Sequence, residues 1–353
     1  MTASASGGLP ERTLRAPLAR HSPLVLLSLA MLASACLALS LGSVHVPTAE
    51  VVRRCAQAAT GQATWDATDR ILFETRLPRI LLAAGTGVAL ALAGLAAQTL
   101  FLNPLASPYV IGVSSGSALG AVIGMLVLGA TAWSFETVPL ASAAFGISIT
   151  GLLFVLASGG RHTSQTLLLA GIAIGSLCAA LTAGALYLAE ERLQTLVFWL
   201  MGGFWRAGWR DVKLLLPVAT LVWLALWLLS PTMDVLLLGR RSAHDLGVNV
   251  PRALRCLLLL IGVATAVAVS LTGIIGFVDL IVPHLLRRVL GAGHRRLVPA
   301  CALAGGTLMI LADLAARVLA SPAEIPVGIV TAILGAPLFL WLLLRRSTRE
   351  VGT

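Results

Sequence analysis

Charge is scarce in this sequence. Asp, Glu, Lys and Arg make up 11% of its 353 residues, against about 25% in an ordinary soluble domain. With 58% of the residues hydrophobic, too little polar surface is left to cover a water-soluble body of this size. Lipid is the expected solvent. Lysine is almost missing: Lys213 is the single one, and Val212 precedes it. A Gly-x-x-x-x-Gly-Lys-Ser/Thr phosphate loop is therefore excluded, and any ATP-Mg must be handled by a separate subunit. Paired cysteines are missing too. Cys36, Cys55, Cys178, Cys256 and Cys301 are scattered, four of them inside apolar runs. That favours small buried apolar residues over a disulfide or metal framework. There is no His-Glu-x-x-His and no Asp-rich pair, and the six histidines stand apart. Without a catalytic constellation or a metal site, an enzyme is not expected.

What is present is a series of apolar runs of bilayer-spanning length. They lie near 24–42, 78–100, 110–130, 138–158, 166–189, 213–230, 253–272, 274–290, 297–318 and 325–344. The expected fold is an all-α polytopic membrane protein of about ten transmembrane helices. Its membrane body covers 24–344, with cytoplasmic tails at 1–23 and 345–353. Arg12, Arg15 and Arg20 before Leu24–Leu41, with Ala33-Ser34-Ala35-Cys36 inside that run, resemble a signal sequence. The run is long enough to span, and many more follow, so an uncleaved first span is expected. The formal charge of +10 is almost wholly arginine set between apolar runs. It argues for the positive-inside bias of a membrane protein and against a nucleic-acid partner. With the N-terminus inside, 15 of the 25 basic residues fall inside and 10 outside. Among the outer ones, Arg76, Arg79 and Arg317 stand at helix ends where a partner could reach them.

The longest outer stretch is 43–75, where Pro47-Thr48-Ala49-Glu50 marks the start of a short surface helix. A second, about 190–212, holds Trp199, Trp205 and Trp209 with Arg206 and Arg210; interfacial anchoring is its plain reading. The most polar inner loop is 231–252. A faint internal echo joins two segments. Leu77-Pro78-Arg79 opens a run that ends at Asn103-Pro104-Leu105, and Val250-Pro251-Arg252 opens one that ends at Ile281-Val282-Pro283. The two enter from opposite sides, as in an inverted repeat.

Acids within the bilayer are costly and informative. Asp279 and Asp313 are the two candidates. Either they relay protons in an ion-coupled secondary transporter, or they pair with arginine or exposed backbone amides; Asp313 has Arg317 four residues on. His284 after Pro283 is read as a packing histidine rather than a ligand. Asn103-Pro-Leu-Ala-Ser-Pro108 runs into Gly112-Val-Ser-Ser-Gly-Ser117. Its two prolines break the helix, leaving either a tight loop or backbone that lines a cavity.

Jointly these motifs resemble a family. Arg76-Leu-Pro-Arg79, Asn103–Pro108, Gly112–Gly116, Leu168-Leu-Ala-Gly171, Phe198-Trp-Leu-Met-Gly-Gly203, Gly276-Phe-Val-Asp-Leu-Ile-Val-Pro-His284, His294-Arg-Arg-Leu297, Ala323-Glu-Ile-Pro-Val-Gly-Ile-Val-Thr331 and Gly335-Ala-Pro337 occur in order over about 70–345. They are similar to the FecCD-type permeases, which import iron-siderophores, haem and cobalamin. The resemblance implies a homodimer in the inner membrane, two cytoplasmic ABC ATPase subunits and a periplasmic binding protein. It implies binding-protein docking at Arg76, Arg79 and Arg317, and a cytoplasmic gate at Asn103 and Leu105 and at Thr163 and Ser164. ATPase coupling would run through Gly239, Arg240, Arg241, Ser242, Ala243, His244, Asp245, Leu246 and Gly247. Two departures stand out: Asp279, where the family usually has glycine, and Trp205-Arg206, where many members carry small residues.

Overall fold

A computed structural model describes residues 22–42, 46–62, 64–127, 137–158 and 164–350. Among them every regular element is helical. In order these are α1 (Ser22–Ser40), α2 (Thr48–Ala59), α3 (Ala67–Arg70), α4 (Leu77–Leu100), α5 (Val113–Val127), α6 (Thr137–Ser158), α7 (Ser164–Tyr187) and α8 (Leu193–Leu200). There follow α9 (Trp209–Leu228), α10 (Ser230–Leu236), α11 (Arg240–Asp245), α12 (Val250–Thr272), α13 (Val278–Leu290), α14 (His294–Val318) and α15 (Val327–Glu350). Each of the ten expected apolar runs carries a helix. Seven are long and apolar enough to cross a membrane; α5, α13 and the apolar part of α15 are shorter. Helix α15 continues to Glu350, into the stretch expected as a tail.

The bundle is built around α4. Nearly all of its residues are buried, and it packs on α14, α12, α9 and α13. In lipid, apolar side chains gain little by leaving solvent, so helix association depends on close backbone contact. Glycine supplies it. A Cβ on Gly87 would stand 2.1 Å from the Gly305 carbonyl oxygen, and one on Gly94 would stand 1.9 Å from that of Asp279. By contrast α6 and α7 present Leu152, Val155, Leu169 and Leu177 outward, as a lipid or partner face requires.

The echo has a structural counterpart. Helices α4 and α12 both open on proline, Pro78 and Pro251, and both run into non-helical backbone, 101–112 and 273–277. Helix α2 starts at Thr48 as expected, and Glu50 binds both Arg53 and Arg54 at 2.6 Å. The tryptophans do more than anchor. Trp199 is buried beside Leu196, and Trp209 donates Nε1–H to the Phe73 carbonyl at 2.9 Å. The cysteines divide: Cys178 and Cys301 are buried, whereas Cys36 and Cys55 are exposed. These two stand on the exposed faces of α1 and α2, whose opposite faces bury Ala38 and Val51.

Replacing Gly87 by Ala forces α4 and α14 apart and is expected to cost about 1–3 kcal/mol, the usual penalty of overpacking. A lowered midpoint on titrating the micellar protein with SDS would show it. Gly184→Ala, with nothing within 4 Å of the added carbon, should leave that midpoint unchanged or raise it.

Candidate functional site

The N-terminal end of α4 carries a buried charge cluster. Asp313 of α14, 1% exposed, accepts from Arg79 Nε and Nη2 at 2.8–3.1 Å and pairs with Arg317 Nε at 3.1 Å. Arg79 also holds Glu324 with two hydrogen bonds of 3.0 Å. A carboxylate taken out of water needs such partners, since a lone buried charge costs several kcal/mol. The remaining guanidinium donors close the end of α1. Arg76 Nη1 donates to the carbonyls of Leu39 and Ser40, and Arg317 lies 3.4 Å from those of Ala38 and Leu41. Cations are favoured there because the last carbonyls of a helix lack intrahelical partners and carry partial negative charge. Expected at outer helix ends where a partner could reach them, Arg76 and Arg317 are 5% and 8% exposed. Three arginines against Asp313 and Glu324 leave one positive charge in excess.

The opposite end of α4 lies roughly 36 Å away, at 1.5 Å per residue over its length. There Asn103 Oδ1 accepts the Leu105 N–H at 2.9 Å, a local turn that holds Leu105 exposed. Helix α11 is short, set between Gly239 and Gly247, both at positive φ. Ala243 is its buried anchor, while Leu238 and Leu246 flank it with more than 60% exposure. Asn103, Pro104 and Gly239 share a cavity of about 670 Å³ with Gln98, His284, Arg287 and Arg288. The fold therefore brings the first expected gate segment beside the expected coupling segment. Of the second gate pair, Thr163 lies outside the described residues. Ser164 opens α7, and its side chain also lies outside them.

A polar network missed in the sequence sits behind this cavity. His294, fully buried, bonds Thr99 Oγ1 through Nε2 at 2.8 Å and Asp234 Oδ1 through Nδ1 at 2.7 Å. Its backbone N–H donates to the same Asp234 oxygen at 2.8 Å, and Arg287 Nη2 donates to Thr99 Oγ1 at 3.2 Å. The set mimics a hydrolase triad, but Thr99 is buried and already donates to the Leu95 carbonyl, so it offers no nucleophile. It ties α10, directly before α11, to α4, α13 and α14. The sequence signal was available: a histidine beginning a buried helix needs partners for both ring nitrogens.

Between the two ends lies a second cavity of about 590 Å³, mostly apolar. Four motifs distant in sequence meet on it: Ser107 and Tyr109, Leu200 and Met201, Gly276 to Leu280, and Gly328 with Ile329. Among the described residues Asp279 is its one carboxylate. It stands in the first turn of α13 and shares the cavity wall with Ser107. Phe277 caps that turn in the left-handed conformation, φ 70°. Irregular backbone is tolerated at membrane depth where it lines such a cavity.

The chain is thus a helical bundle with broken segments around a cavity, and it carries polar clusters at both ends of its central helix. The model of the FecCD transport family matches residues 29–345, and the chain belongs to that family. It is 39% identical over 89% of its length to the hemin transport system permease protein HmuU of Yersinia pestis, covering 94% of that protein. It is 42% identical over 78% of its length to the cobalamin import system permease protein BtuC of Halobacterium salinarum, covering 74% of that protein. A solved structure described as an inward-facing metal-chelate type ABC transporter superposes with a TM-score of 0.80 at 33% identity. It covers 92% of this chain and 99% of that one. The protein is thus the permease component of an ABC transporter of the metal-chelate, haem and cobalamin type.

Asp313→Asn removes the counter-charge of two buried guanidinium groups and is expected to cost about 3–5 kcal/mol. Thermal unfolding of the purified protein in detergent checks it. A Tm shift of less than a degree would show that the cluster does not hold α1, α4 and α14 together.

Proposed function

We propose that this chain is the membrane-spanning subunit of a binding-protein-dependent importer. It moves a metal chelate (iron-siderophore, haem or cobalamin) from periplasm to cytoplasm without altering it covalently. The observation that carries the reading is the convergence of four family-like motifs on one cavity. A relative is named as an import permease, which supports the inward direction.

In this reading the assembly is a homodimer with two cytoplasmic ABC ATPases and one periplasmic binding protein, in a bacterial inner membrane. Residues 1–23 and 345–353 face the cytoplasm. The second copy lies against the open side of the cavity, where Ile333 of α15 is uncovered, and closes a pathway between subunits. ATP-Mg belongs to the ATPases. The loop 231–252, with α11 and its flanking Gly239, Leu246 and Gly247, docks on them. Leu238 and Leu246 suit that role because exposed leucines beside a short rigid helix make an apolar contact on a partner. Closure of the ATPases pulls α11, and the pull reaches Asn103 and Leu105 through the shared cavity wall, with Thr163 and Ser164 as the second gate. The binding protein docks at the end bearing Arg76, Arg79 and Arg317. The excess positive charge there favours acidic partners and speeds encounter at low salt. A proton-carrying role for Asp313 is not favoured, because two arginines already hold its carboxylate.

Vesicles containing the permease, ATPase and binding protein test this. Uptake of a radiolabelled ferric chelate should require ATP, and Leu238→Glu with Leu246→Glu should weaken ATPase binding at least tenfold and abolish uptake. Uptake that continues after the ATPase is stripped away would overturn the reading.

A further inference from the structure

The cavity beside α13 has one feature that its shape alone does not require. The N-terminus of a helix carries roughly half a positive charge, from N–H groups that lack intrahelical acceptors. Where half-helices end at a transport cavity, that charge points at anionic cargo groups. Here the position is already filled. Asp279 stands in the first turn of α13, and among the described residues it is the one carboxylate lining a cavity of about 590 Å³ whose other members are mostly apolar. Its backbone cannot withdraw, because the Asp279 carbonyl rests on Gly94 of α4 with no room for even a Cβ.

We propose that Asp279 is a specificity-determining residue of the transport cavity: its carboxylate takes the anion position at the α13 N-terminus, so the cavity prefers neutral or cationic chelates and disfavours cargo that presents a free carboxylate or phosphate there. This rests on the reading of the cavity as part of the cargo path. The charge argument gives the sign. Half a positive charge from the helix and one negative charge from Asp279 leave the wall net negative by about half a charge. Removing the carboxylate leaves it net positive, so the preference should invert rather than fade. In a site of low dielectric a charge difference of this size is worth at least tenfold in relative occupancy.

The local charge can be read without transport. Tyr109 lines the cavity and is half exposed. In the full-length protein in nanodiscs, Tyr109→Cys is labelled with a trimethylammonioethyl or a sulfonatoethyl methanethiosulfonate. The rate is followed by mass spectrometry on the peptide carrying position 109 and normalised to a free thiol. The cationic reagent should react about tenfold faster. Adding Asp279→Asn should invert the ratio, and Asp279→Glu should keep it cationic. Equal rates, or an anionic preference, while Asp279 is present overturn the proposal, and so does a ratio that Asp279→Asn leaves unchanged. In vesicles with ATPase and binding protein, uptake of dianionic haem relative to a cationic ferric trihydroxamate should rise at least tenfold in Asp279→Asn. An unchanged uptake ratio beside an inverted labelling ratio would overturn the specificity role. No ATP-driven uptake of either chelate or of cobalamin by the unsubstituted protein would instead sink the importer reading.

Discussion

Everything in this molecule is referred to α4. Lipid gives apolar helices no reason to associate beyond what they offer one another in contact, and α4 meets that condition by bringing its backbone against α14 at Gly87 and against α13 at Gly94. A helix so enclosed cannot tilt or slide without moving its neighbours. Its two ends, roughly 36 Å apart by helical rise, are therefore mechanically one object. That distance exceeds the hydrocarbon core of a bilayer, about 30 Å, which places the polar groups at each end near opposite interfaces.

The same solvent dictates how the ends are finished. Helices leave unsatisfied carbonyls at their C-termini, and lipid offers no donor. At one end Arg76 and Arg317 supply donors to the last turn of α1 while Asp313 neutralises the arginines that approach it. At the other, the chain turns back on itself through Asn103, and the His294 network absorbs Thr99, Asp234 and Arg287. These are different chemical answers to one constraint. The arginine cluster is charged and rigid. The histidine network joins a carboxylate, an imidazole, a hydroxyl and a guanidinium by hydrogen bonds, and it stands next to the segment that must move if ATPase closure is to reach the cavity.

Much of this was legible in the sequence, and the reasons differ by feature. Composition and run length gave lipid as the solvent and placed all ten helices, because a bilayer-spanning run is a long, uninterrupted signal. The pairing of Asp313 with Arg317 followed from i, i+4 spacing. Its second partner, Arg79, did not: 234 residues separate them, and only the packing of α4 on α14 brings them together. Glu324 was likewise visible in a motif but had no assigned partner. Exposure was the weakest inference. An arginine at a helix end can face water or cap a neighbouring helix, and periodicity along one segment cannot distinguish the two when the capped helix, α1, lies far away in sequence.

Asp279 and Asp313 show how position decides what a buried acid does. Both lie on helices that touch α4, and both are almost wholly buried. Asp313 is met by two guanidinium groups, so its charge is spent inside the protein and leaves little field beyond the cluster. Asp279 is met by the dipole at the first turn of α13, which stabilises a charge without cancelling it. Its field therefore extends into the cavity it borders, where the dielectric is low and few other charges oppose it. A carboxylate balanced by cations is a structural rivet; one balanced by dipoles remains an electrostatic element of whatever space it faces.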